Sequence, residues 1–150
     1  MATKPNWIEE ELERRGKGKL EALNDTAREL HFQKVAAALW NRLATDLRAD
    51  VEEFSRIGGP TEFSQPSELG VRVQRASLAL TITADLAGHA VHYDYHSEQE
   101  GTVAPEGGIF SLRLSRYGRA DIYSADERLT EEEARRMLLE PVLFPEEPSV

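Results

Sequence analysis

From Lys19 to Ile57 the chain runs 39 residues without a proline or a glycine, and then meets Gly58-Gly59-Pro60. Within that run Leu20, Leu23, Ala27, Leu30, Ala36, Leu39, Trp40, Leu43, Leu47, Val51 and Phe54 recur mainly at three- and four-residue steps. Such spacing lays one apolar stripe along an α-helix, and the Gly-Gly-Pro sequence ends it. Thr26 with Glu29 has the form of a capping box, so the helix either continues through Asn24-Thr26 or restarts there. A long helix with a single apolar stripe needs a surface to cover, and the rest of the chain has to supply it.

The connector GGPTEFSQPSE, residues 58–68, precedes a change of period from helical to two. Leu78, Leu80 and Ile82 alternate with polar or small residues. After a turn at Ala84–Gly88, Val91, Tyr93 and Tyr95 alternate with His92, Asp94 and His96. Pairing Ile82 with Val91, Leu80 with Tyr93 and Leu78 with Tyr95 puts every apolar side chain on one face of a hairpin. Phe110, Leu112 and Leu114, then Ile122, continue the pattern on either side of a Tyr117-Gly118-Arg119 turn. Val71 and Val73 stand in the opposite parity, which requires a bulge or turn near Arg75-Ala76. Thr130 with Glu133 opens a last short helix, 131–139, limited by Pro141. The expected fold is α+β: a long N-terminal helix packed on a four- to five-stranded antiparallel sheet, with a short C-terminal helix. Residues 1–18 form a short helix and hinge around Gly16 and Gly18, residues 19–145 a single domain, and residues 146–150 a flexible acidic tail.

Composition restricts the chemistry. Without cysteine there is no disulfide, thiolate metal site or cysteine nucleophile. The net charge of −9 opposes attraction to nucleic acid or anionic lipid, so neither is the expected partner. Residues 125–150 carry three Lys/Arg against eight Asp/Glu, a solubilising or docking segment. No apolar run reaches the roughly 18 residues of a membrane span. The start of the chain has neither the apolar core of a signal peptide nor the acid-poor composition of a transit peptide, so a cytoplasmic location is expected.

The densest chemical cluster is HAVHYDYHSE, residues 89–98, with three of the four histidines. Same-face neighbours along a strand stand about 6.5–7 Å apart, so His92 with Asp94, or Asp94 with His96, can meet one ion, whereas all three cannot. In the expected hairpin His92 faces Thr81 and Asp94 faces Ala79, with Ser111 and Arg113 on the other side. The expected role is a solvated face with an Asp94–Arg113 pair, and His92, Asp94, His96 and Arg113 are the candidate binding residues. Nucleophile turns and phosphate loops are absent: GKGK has neither the spacing nor the preceding strand. Arg72, Arg75, Arg113, Arg116 and Arg119 read as partners for local acids, and His31 as a helix-surface residue.

These features lead to a non-enzymatic protein-interaction module: a small acidic adaptor, chaperone-like or immunity-like, with no metal or cofactor. The alternative is a ligand- or metal-binding hydrolase-type domain using the face of His92, Asp94 and His96. Lengths also point to a homodimer. Residues 26–57 as one helix span about 48 Å, against about 26 Å for an eight-residue strand. An uncovered stripe with Leu30, Leu39, Trp40 and Leu43 is then the expected interface, and Trp7 either docks on a partner or folds back as a peg.

Overall fold

The computed structural model describes residues 24–145 together with Trp7, Ile8, Glu10, Glu11, Arg14 and Arg15. The expected boundary at 18/19 and the acidic tail at 146–150 lie outside the described residues, and those six N-terminal residues are helical. The long helix α1 spans Asp25–Ile57. Its cap is Asn24, whose side chain accepts from the Ala27 backbone amide, rather than Thr26. None of the described helices is long and apolar enough to cross a membrane.

The fold is α+β as expected, but the sheet has seven strands, not four or five: β1 Glu62–Ser67, β2 Gly70–Arg75, β3 Leu78–Asp85, β4 Ala90–Ser97, β5 Gly108–Leu114, β6 Ala120–Ser124 and β7 Glu127–Leu129. They pair antiparallel in chain order as one meander. β1 escapes the period-two pattern because only Phe63 packs against the core. As an edge strand with irregular register it also tolerates Pro66. β7 follows a two-residue turn without glycine, in which Ala125 takes φ +54°. Ala76 does the same between β2 and β3. That turn pairs Val73 with Leu80 and Val71 with Ile82, and so resolves the parity change.

The β3–β4 register is shifted by two residues from the expected one: Ile82 faces Tyr93, Leu80 faces Tyr95 and Ala84 faces Val91. The Asp85 carboxylate accepts from the Gly88 amide at 3.0 Å, which tightens the turn to residues 86–89 and extends both strands into it. A two-residue slip keeps every side chain on its face. The expected inner residues of β3–β6 therefore all belong to the core or pack against it.

The apolar stripe of α1 is covered within the chain, which corrects the expected interface. Leu39, Trp40 and Leu43 are buried, and only Leu30 of that set on α1 is exposed. The length comparison assumed a helix lying along the strands. Instead α1 crosses them: His31 meets the β5–β6 turn, Gln33 the β3–β4 turn, Trp40 the β1–β2 turn, and Arg48 lies over Phe63 of β1. Seven strands are about 29 Å wide at 4.8 Å spacing, and a diagonal path is longer still. A second helix, α2 (Glu131–Leu143), lies beside α1 on the same face and runs in the same direction. Arg42 pairs with Glu131, Arg135 with Asp46 and Asp50, and Phe144 packs edge-on against Phe54.

Thr130 and Glu133 form the expected capping box, whose hydrogen bonds hold the Glu133 carboxyl below its ordinary pKa. Pro141 does not end the helix; it sits inside it. Its missing N–H leaves the Met137 carbonyl without the usual donor. The buried Tyr95 hydroxyl stands 3.4 Å from that oxygen and donates to the Leu138 carbonyl at 2.7 Å. Burial, with the nearby Tyr93 phenol, raises the pKa of Tyr95 well above the ordinary tyrosine value.

Candidate functional site

His92, Asp94 and His96 project from β4 to the face turned away from both helices, and all three are exposed. Their cross-strand neighbours on β3 are Thr83, Thr81 and Ala79 in turn. Arg113 is on the same face but does not reach Asp94, because β4–β5 pairing stops at Tyr93–Gly108. Arg113 instead lies opposite Asp121, stacks 4.2 Å from the Tyr123 ring centroid and reaches the Ala125 carbonyl and Asp126 carboxylate at 3.3 Å. The expected Asp94–Arg113 pair is therefore absent: with Ala90 opposite Ser111 and Tyr93 opposite Gly108, the two residues lie past opposite ends of the β4–β5 ladder. Burial raises the pKa of Asp121, against the pull of Arg128 and Arg119. Among the described residues no three His, Asp or Glu side chains converge as a metal site. The face offers separate polar groups without a common focus.

The two ends of the sheet differ. At the end with the β1–β2, β3–β4 and β5–β6 turns, side chains of α1 close the structure by donating to turn carbonyls. Trp40 Nε1 donates to Glu68 at 2.7 Å, Gln33 Nε2 to Leu86 at 2.8 Å and His31 Nε2 to Gly118 at 2.8 Å. His89, with φ +54°, stacks on Phe32 and donates to both Glu29 carboxylate oxygens at 2.5 and 2.8 Å. His31 is thus a clip between helix and turn rather than a simple surface residue, and its spacing in the helix gave no sign of that.

The opposite end is open. Along α2, Glu133, Arg136, Met137, Glu140 and Pro141 follow one another at helical spacing, and Phe144, which caps the helix and packs against Phe54, continues the row. They form one wall of a groove of about 1060 Å³. The β4–β5 loop, through Thr102, Val103 and Ala104, and the β2–β3 turn, with Arg75, supply the remainder, while Leu78, Leu129 and Val142 give an apolar floor. Val103 is 94% exposed, Phe144 66% and Met137 40%. Leu30, Leu69 and Ile109, also exposed, stand apart from the groove. Its two cations are engaged locally: Arg136 pairs with Glu140 at 2.9 Å, and Arg75 lies 5.3 Å from the Phe54 ring centroid. Sequence reading missed this site because its residues come from four separate segments and only their assembly brings them together.

Comparison with protein-family models, with curated proteins and with solved structures found no match.

Proposed function

We propose that this chain is a non-enzymatic protein-interaction module, a small acidic adaptor of chaperone-like or immunity-like type, whose docking surface is the groove beside α2. The cysteine-free, acidic composition favours action in the cytoplasm. One observation carries the reading: Val103, Met137 and Phe144, three exposed apolar side chains from two elements, border a single apolar-floored groove. Grooves of this form accept apolar anchors from a peptide or helix, with charged groups at the rim selecting among partners. The outer sheet face supports the hydrolase alternative less well, because its His and Asp side chains do not converge.

The test is quantitative co-purification with the full chain and with the double variant Val103→Asp, Met137→Asp. Both positions are exposed, so the variant should fold as the parent does. A protein captured by the parent should be lost from the variant. Identical capture by the two would refute the groove as the docking surface.

A further inference from the structure

An antiparallel sheet tolerates water on one face, but the outer face of this sheet is not evenly polar. Ile109 stands on it 51% exposed, opposite His92. Two residues along the same ladder Ala90 faces Ser111, and the short side chain of Ala90 is buried. One row of the face is therefore high and its neighbour low. Past the high row, toward the open end, comes Asp94; past the low row, toward the closed end, comes Arg113. Asp94 is exposed and has no ion pair among the described residues. Arg113 holds Asp126, whose side chain is 99% exposed, and such a pair adds little in water. Arg119 and Arg128 share the closed side with the single carboxylate of Asp121, while Arg72 on the open side is matched by Glu98 at 3.7 Å. The midpoint between Asp94 and Arg113 is the Val91–Phe110 pair, three residues or about 10 Å from each.

We infer that this outer face packs on the same face of a second copy, about a two-fold axis that runs across the strands at Val91 and Phe110, between the two sheets. The rotation lays the high row of His92 and Ile109 on the low row of Ala90 and Ser111 of the second copy, and the reverse. It also brings Asp94 of each copy within one strand spacing, about 4.8 Å, of being directly above Arg113 of the other. The pair that one chain cannot make is thus made twice between two, which is the self-complementarity of an isologous contact. Twisted sheets stack aligned about 10 Å apart, a gap that aspartate and arginine side chains bridge together. A contact five strands wide and one strand long, about 24 by 26 Å, buries roughly 1,200 Å2 over both copies, the lower bound of a stable interface. Both helices lie on the other face of each sheet, so the dimer leaves both grooves open and does not depend on what they bind. It also makes no use of the buried stripe of α1.

Asp94→Arg and Arg113→Asp are prepared as separate full chains, checked by circular dichroism, and weighed by light scattering over a concentration series. The parent should approach twice the mass of one chain. Each variant alone should stay monomeric, because its cross-axis pairs become Arg with Arg or Asp with Asp. An equimolar mixture of the two should recover the dimer, since each position then meets the opposite charge in the other chain. Asp94 and Arg113 do not touch within a chain, so that rescue can come only from contact between chains. Ile109→Glu should be monomeric as well, whereas Val103→Asp with Met137→Asp should dimerise as the parent does. A parent that stays monomeric throughout would overturn the inference. So would dimers in both single variants, or a mixture that stays monomeric.

Discussion

The two ends of one sheet are built by different means. At the closed end a tryptophan, a glutamine and a histidine of α1 each donate to the carbonyl of a different turn, and His89 returns a contact to Glu29. At the open end the loop between β4 and β5 runs ten residues, 98–107, and its Val103 is almost wholly exposed. A buried polar group is costly unless paired, so the closed end is specified by its hydrogen bonds. The open end has apolar side chains without a cover, which the proposed function takes as its docking surface. On the proposed function, stability and recognition occupy opposite ends of the same layer.

Substitutions should expose that division. Trp40→Ala removes a buried indole and the donor to Glu68, and should cost about 3–5 kcal/mol in urea unfolding, as aromatic truncations in cores do. A cost below about 1 kcal/mol would mean that the closed end is not pinned as described. Gln33→Ala removes one partly buried hydrogen bond and should cost about 1 kcal/mol by the same measurement.

The outer face offers a pH-dependent case. The folded state raises the Asp121 pKa, so its protonated form is favoured there. That contribution is present below the ordinary aspartate range and is lost as pH rises through the raised value. Asp121→Asn should therefore melt slightly above the parent at neutral pH, with the gap closing as pH falls below the ordinary aspartate range. A gap that widens on acidification would reverse the assignment. The smallest effects belong to exposed groups. Val103→Ser, and His92→Ala with His96→Ala, should each leave stability within about 0.5 kcal/mol of the parent. A larger loss in the histidine double variant, reversed by zinc, would restore a metal role to that face.

What the sequence revealed follows the strength of each local signal. The helix at 25–57 and the inner faces of β3, β4 and β5 were legible because their periods are long and unbroken. The outward direction of His92, Asp94 and His96 followed from the same alternation. Strand β1 was hidden by Pro66 and by having one core residue, and β7 by its length of three and its alanine turn. The β3–β4 register slipped because the Asp85–Gly88 hydrogen bond sets the turn length, and alternation alone is blind to a shift of two. The mistaken exposure of Trp40 has another cause. A helix gives its length to the sequence but not its crossing angle, and the angle decides how much of the stripe one sheet covers. The groove depends on the same assembly, with α2 set beside α1 through Arg135.

The most direct measurement compares hydrogen–deuterium exchange of the free chain with that of the chain bound to whatever it captures in a groove-dependent manner. Protection should rise in residues 97–105 and 133–144, at the open end, and remain unchanged in β4 and β5 around His92, Asp94 and Arg113. Protection confined to residues 90–96 and 109–113, with the groove exchanging as before, would contradict the assignment and return recognition to the outer face.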